Sequence, residues 1–304
     1  MVFLDPTSDI AFKKLFGDIA HKNILLSFLN SILEKTDWNK IVDVVINDPN
    51  NLRETKLSKL SIVDVRCTDQ MGNQYIVEMQ VEAEKDYAER AQYYSSLALS
   101  RQLTPKDEYE KLVPVIFIGV LNFNLFSNAD YLSHHFILNK KTLAHDFKHL
   151  EFHVIELKKF NKNLDELHSI ADKWIYFLKN AWELTKIPTE LKESVLRDAF
   201  DILEQGNWSK AELEAYDRYV ASLRLYRSGM KHAIQQGMEK GIEKGIKKGM
   251  KQGIKEGKKE GVKEGRLEAQ LEFAKNLLDI LDIETIAKKT GLTIDQIKNL
   301  KKLH

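Results

Sequence analysis

The chain has 304 residues, 43% of them hydrophobic and 30% charged, enough for a sizeable core and ordinary for a soluble globular protein. No run of eighteen apolar residues occurs, and the opening MVFLDPTSDIAFKKLFGD has no apolar segment ahead of a small-residue cleavage site; the expected setting is cytoplasmic, with no membrane partner. Cys67 is the single cysteine, which excludes an internal disulfide and a cysteine-built zinc site.

The net charge of +1 is unevenly spread. Residues 237–266 carry ten Lys or Arg against five Glu, residues 267–283 one Lys against four acids, and residues 284–304 five Lys against two acids. The segment 237–304 therefore stands at +5 and the remainder at about −4. A basic tail on an acidic body suggests a polyanion partner for the tail.

In chain order, SDIAFKKLF at 8–16 predicts a short helix capped by Ser8, and HKNILLSFLNSILE at 21–34 a longer one, its apolar residues recurring at three and four. IVDVVI at 41–46 reads as a strand. SIVDVRC and QYIVEMQVE then flank DQMGN as a hairpin. YAERAQYYSSLALSRQL at 87–103 is a helix stopped by Thr104-Pro105, and VPVIFIGVLN at 113–122 a buried strand. Residues 136–138 and 152–157 are weaker strands. The order is α-β-β-β-α-β, a mixed α/β domain over about residues 1–160, followed by a helical region at 161–229 with Trp174, Trp182 and Trp208 available to a core.

GMEKGIEKGIKKGMKQGIKEGKKEGVKEG then places Gly at every fourth position from 237 to 265. Met238, Ile242, Ile246, Met250 and Ile254 follow five of those glycines, and Val262 resumes the series. A step of four advances a helix about 40° beyond a full turn, so the glycine stripe winds round the rod. Interior glycines cost about 0.8–1 kcal/mol each relative to Ala. The arm at 230–283 is thus a helix that self-associates through close glycine contacts, giving a homodimer or higher homo-oligomer, or a basic tether, or a slipped repeat with no role beyond its length. At 284–304, ETIAKKTGLTIDQIKNL resembles a helix-turn-helix: Ala287 is small where two helices meet, Gly291 suits a left-handed turn, and Thr293 can cap the second helix. Lys298, Lys301 and Lys302 on that helix are candidate nucleic-acid contacts, although plain helical hairpins share the pattern.

The hairpin holds the most chemistry. Side chains alternate along strands, so Val63, Val65 and Cys67 share one face and Ile62, Asp64 and Arg66 the other. On the second run Tyr75, Val77, Met79 and Val81 oppose Ile76, Glu78, Gln80 and Glu82. A register about DQMGN brings Asp64 near Glu78. Two close carboxylates repel, and both stay ionised only with a cation between them. Oxygen ligands of this type suit Mg²⁺ or Mn²⁺, which leave positions for water and phosphate. The spacing is equally compatible with a merely solvated hairpin face.

These residues resemble the PD-(D/E)xK nuclease superfamily, whose core is α-β-β-β-α-β. More closely they resemble the Rpn family of recombination-promoting nucleases, also described as PD-(D/E)xK family transposases. The resemblance rests on DPTSDIAFKKLFGD at 5–18, SIVDVRCTDQMGNQYIVEMQ at 61–80 and YAERAQYYSSLALSRQL at 87–103. It implies a restriction-endonuclease-like fold and a Mg²⁺-dependent DNA endonuclease associated with recombination or mobile elements, with Mn²⁺ as a substitute ion. Asp64 and Glu78 would bind the metal, and Asp9 would be the extra acid beside it. Gln80 stands where the superfamily usually has Lys; Gln can orient water but supplies no positive charge. Lys13, Lys14 and Arg90 are the candidate substitutes and possible DNA contacts. A nuclease acting on RNA, or a DNA-binding scaffold on a decayed core, remain the alternatives. The histidines form no ligand pattern, and no G-x-x-x-x-G-K-[ST] loop indicates ATP use.

Overall fold

Ser8 opens the first helix. In the computed structural model, which describes residues 1–47 and 64–302, its hydroxyl accepts the Ala11 N–H at 3.3 Å and caps α1 (Asp9–Phe16). Asp5 fixes the approach by accepting the Thr7 N–H at 2.8 Å and the Thr7 hydroxyl at 2.7 Å. DPTSD is therefore a turn-and-cap device that sets Asp9 at the first helical position. α2 (Lys22–Ile32) follows, its apolar face buried through Ile24, Leu25, Phe28, Leu29 and Ile32.

The chain divides into two units, 1–224 and 225–304. The first contains a sheet of β1 (Val44–Asn47), β2 (Val65–Asp69), β3 (Gln74–Gln80), β4 (Val115–Leu121), β5 (Leu132–Ile137) and β6 (Phe147–Glu156). The spatial order is β1-β2-β3-β4-β6-β5. β1, β2 and β3 pair antiparallel, β3, β4 and β6 run parallel, and β5 is an antiparallel edge. The parallel β3–β4 pair needs a crossover, and α3 (Tyr87–Ser100) is part of it.

Alternation sorts the sheet into two buried faces. Val65, Cys67, Tyr75, Val77, Met79, Ile116, Ile118, Val120 and Ile155 pack with α1 and α2 on one side. Ile76, Val115, Phe117, Leu121 and Val154 pack with Tyr87, Ala91 and Ala98 of α3 on the other. α4 (Ile170–Asn180) and α5 (Ser194–Leu203) join the first of these cores, so a three-layer α/β/α arrangement of restriction-endonuclease type results. Of the three tryptophans available to a core, Trp174 and Trp208 are buried there and Trp182 is 52% exposed.

Two strand boundaries differ from expectation for identifiable reasons. Ile41 is held by the Asn30 side chain, which bonds both its N–H and its C=O at 2.8 Å, so β1 begins only at Val44. β5, at the sheet edge, and the first half of β6 beside it are polar and largely exposed, so neither shows a hydrophobic pattern. The turn between β2 and β3 uses Gly72 at φ +89°, with Asp69 accepting the N–H groups of Met71 and Asn73. Ile62 and Val63 lie outside the described residues.

The second unit begins within α6 (Lys210–Leu277), which includes the whole glycine repeat. Its far end packs Ala274 against Ile286, Leu292 and Ile297 of α7 (Ile283–Thr290), α8 (Ile294–Lys302) and their connection. Gly291 adopts φ +75° and donates its N–H to Ala287 at 2.9 Å. Thr293 and Gln296 cap α8 reciprocally, Gln296 N–H to Thr293 Oγ1 at 3.3 Å and Thr293 N–H to Gln296 Oε1 at 2.9 Å. Among the described residues no helix is long and apolar enough to cross a membrane.

Candidate active site at the ends of β2 and β3

The Val65–Val77 pairing, continued by one residue, sets Asp64 directly across from Glu78. Asp64 stands just before β2, and its Oδ2 accepts the Met79 N–H at 2.7 Å. The carboxylate therefore does more than decorate a wet face: it closes the ladder where the strand pairing stops. Glu78 lies mid-strand in β3, on the α3 side, and is 7% exposed.

Arg90, in the first turn of α3, gathers the neighbouring groups. Its Nη2 donates to Glu78 Oε1 at 2.9 Å and to Gln80 Oε1 at 3.2 Å, and its Nη1 pairs with Glu84. Gln80 in turn donates from Nε2 to the Glu82 carbonyl at 3.2 Å and to Glu84 Oε1 at 3.3 Å. Gln80 is thus tied between a guanidinium and a carboxylate, and the cation on this side is Arg90.

α1 supplies the opposite wall. Lys13 Nζ lies 2.6 Å from Asp9 Oδ1 and 3.6 Å from Asp64 Oδ1, so one ammonium faces both carboxylates. Burial pushes Asp64 up to about 7; Asp9 adds to the rise, while the Met79 N–H and Lys13 oppose it. Burial likewise pushes Glu78 up to about 7, with Arg90 opposing and Glu84 assisting. For Lys13 burial works downward, but the Asp9 hydrogen bond and charge outweigh it and hold the ammonium above its ordinary value.

Tyr87 was not expected here. Its hydroxyl lies over Gly119, the β4 partner of Glu78, so closely that a Cβ at 119 would meet the oxygen at 2.4 Å. Tyr87 Oη, Glu78 Oε2 and Arg90 Nε are all buried without a hydrogen-bond partner. The signal available in the sequence was spacing: Tyr87 and Arg90 are three apart on one helix and share a face. Glu84 was also missed, since it sits in the connection between β3 and α3, outside any strand pattern.

The remaining candidates lie elsewhere. Lys14 pairs with Glu212 of α6, its ammonium 4.5 Å from the centre of the Trp208 ring. Lys298, Lys301 and Lys302 are in α8 of the second unit, around a shallow hollow with Asp295. His134 and His153 face each other across β5 and β6 with Nδ1 atoms 2.7 Å apart. Among the described residues no group of three or more His, Cys, Asp or Glu is arranged to hold a metal ion.

The donors around Asp64 and Glu78 still fit a hard divalent cation. Two desolvated carboxylates sit opposite each other, and one buried carboxylate oxygen lacks a partner. Mg²⁺ is commonly held by one or two carboxylates, with water and phosphate filling the other positions.

No curated protein and no solved structure matches the chain. A sequence model of the family described as PD-(D/E)XK nuclease family transposase does match, over residues 6–233, and so spans the sheet, its flanking helices and every residue of this site. Such nucleases generally use divalent metal ions. With the family's fold present and Asp64 and Glu78 paired across its hairpin, the chain belongs to the PD-(D/E)XK nuclease transposase family.

Proposed function

We propose that this protein is a metal-dependent endonuclease that hydrolyses phosphodiester bonds in DNA, with Asp64 and Glu78 as the metal-holding residues. The observation that carries the reading is the pairing of half-buried Asp64 with buried Glu78 across the β2–β3 hairpin, with Glu78 Oε2 unpartnered. A bound Mg²⁺ or Mn²⁺ would lower the pKa of its water and offset charge on the phosphate. Asp9, paired with Lys13 at 2.6 Å, would stand beside the ion as an additional acid.

Gln80 supplies no charge, and Arg90 takes over that task. Its guanidinium is permanently cationic and anchored by Glu78 and Glu84, and its unpartnered Nε–H remains a donor. Gln80 positions Arg90 by accepting from Nη2. The Tyr87 hydroxyl, also unpartnered, adds a neutral donor beside Glu78. Together they provide donors for a developing oxyanion in a site of low polarity.

The substrate test compares supercoiled plasmid with single-stranded RNA of mixed sequence, each in Mg²⁺. Faster cleavage of the plasmid supports DNA as the substrate. Cleavage of RNA alone would overturn that part of the reading while keeping the chemistry.

A further inference from the structure

The α3 face of the sheet carries an aromatic cavity of about 270 Å³, lined by Tyr87 and Ala88 of α3, Phe117 of β4, Phe152 of β6, His135 of β5 and Phe126 of the β4–β5 connection. Strand register gathers three of the rings. Phe117 pairs with Phe152 and Phe152 with His135, so all three stand on the face that α3 covers. Phe126 is placed by a buried carboxylate. Glu156 accepts the Leu125 N–H and, at 3.1 Å, the Phe126 N–H, and Lys159 pairs with it at 2.6 Å. The loop so fixed sets the Phe126 ring centre 4.8 Å from that of His135.

The lining decides what the cavity can hold. It contains no Lys, Arg, Asp or Glu, so a charged group would find no counter-ion there. Burial and the neighbouring His153 hold His135 below its ordinary value, which keeps the imidazole neutral near pH 7. Gln92 and His135 supply hydrogen-bonding groups among the rings. A flat, uncharged group with polar edges fits these surroundings.

Tyr87 joins this cavity to the acids. The Arg90 guanidinium carbon lies 5.7 Å from its ring centre, and its hydroxyl sits over Gly119, the β4 partner of Glu78. Its ring also packs 6.3 Å from Phe117 inside the lining. One side chain therefore stands between the groups suited to a phosphodiester and an uncharged aromatic hollow. A nucleotide has the same two parts.

We propose that the cavity takes an unpaired nucleobase of the DNA held at Glu78, stacked on the Phe126 and Phe152 rings with Gln92 and His135 at its edge. The class of ligand rests on the nuclease reading. A paired base must first leave the stack, which costs least where it is mismatched or bulged. The protein should therefore favour DNA that offers an unpaired base.

Fluorescence anisotropy of the full chain in EDTA measures this preference without cleavage. The labelled probes are a fully paired duplex, the same duplex with one bulged adenine, and the same duplex with a bulged abasic residue. The bulged adenine should bind about tenfold more tightly than the other two, the scale expected of one base stacked on an aromatic ring. Phe126→Ala and, separately, Ala88→Leu, each with its melting temperature checked, should bring the three affinities together. Equal affinity for the three probes, no binding of any, an abasic bulge held as tightly as the adenine, or a preference that both variants keep would overturn the inference. Plasmid nicking without the preference would remove the cavity's role alone. The preference without nicking in Mg²⁺ or Mn²⁺ would remove the nuclease reading alone and leave the base site standing.

Discussion

Asp64 accepts the Met79 N–H at 2.7 Å, so the first acid of the site is bonded to the residue next to the second, Glu78. This bond makes the spacing of the two carboxylates a property of the strand pairing and not of flexible side chains. It also separates two roles that Asp64→Ala would remove together. Asp64→Asn keeps an oxygen for the Met79 N–H and removes the negative charge. It should melt within a few degrees of the wild type and lose cleavage by about a hundredfold or more, whereas Asp64→Ala should lose both.

Stability should depend on pH in the direction opposite to an ordinary acid protein. The folded pKa values of Asp64 and Glu78 stand near 7, above the usual carboxylate range, so between about pH 4 and 7 the native state holds protons that the unfolded chain has released. Their contribution is present below pH 4 and is lost as pH rises through 7. With metal withheld, the melting temperature should fall from pH 5 to pH 8, and Glu78→Gln should flatten that slope. Mg²⁺ or Mn²⁺ should raise the melting temperature more at pH 8 than at pH 5, since protons compete with the ion for the same oxygens. A flat metal-free profile would contradict the desolvated pair.

Arg90→Ala leaves Glu78 buried without its ion partner and should cost roughly 2–3 kcal/mol in denaturant unfolding. Glu78→Gln in the same chain should recover much of that loss. For cleavage the revealing combination is different. If Arg90 stands in for the missing Lys, Gln80→Lys should restore cleavage to Arg90→Ala while adding little to the wild type.

Tyr87 and Gly119 form a separate prediction. The buried Tyr87 hydroxyl has no partner, so Tyr87→Phe should be more stable by about 1 kcal/mol, yet slower in cleavage if that hydroxyl serves the site. Gly119→Ala drives a methyl against the same oxygen and should destabilise by about 1–3 kcal/mol, with Tyr87→Phe giving partial relief. Unfolding curves of the two single variants and the double variant check both.

Much of this site was readable beforehand because a hairpin with a short turn makes register and face predictable. Asp64, Glu78 and Gln80 follow from period-two alternation about DQMGN, and Ser8 from its place ahead of α1. The neighbours that set their chemistry were not readable. Glu84 lies in a connection, and the pairing of Tyr87 with Gly119 depends on a parallel register created by a crossover. Lys13 and Lys14 are adjacent in sequence, yet a helix rotates them 100° apart. One faces Asp9 and Asp64, the other Glu212 and Trp208.

The most direct measurement is nicking of supercoiled plasmid by the purified full chain in Mg²⁺, in Mn²⁺ and in EDTA, beside Asp64→Asn and Glu78→Gln. The account predicts nicking in either metal, none in EDTA, and none from the two variants despite their intact fold. Nicking that survives EDTA, or that either variant retains at the wild-type rate, would contradict it.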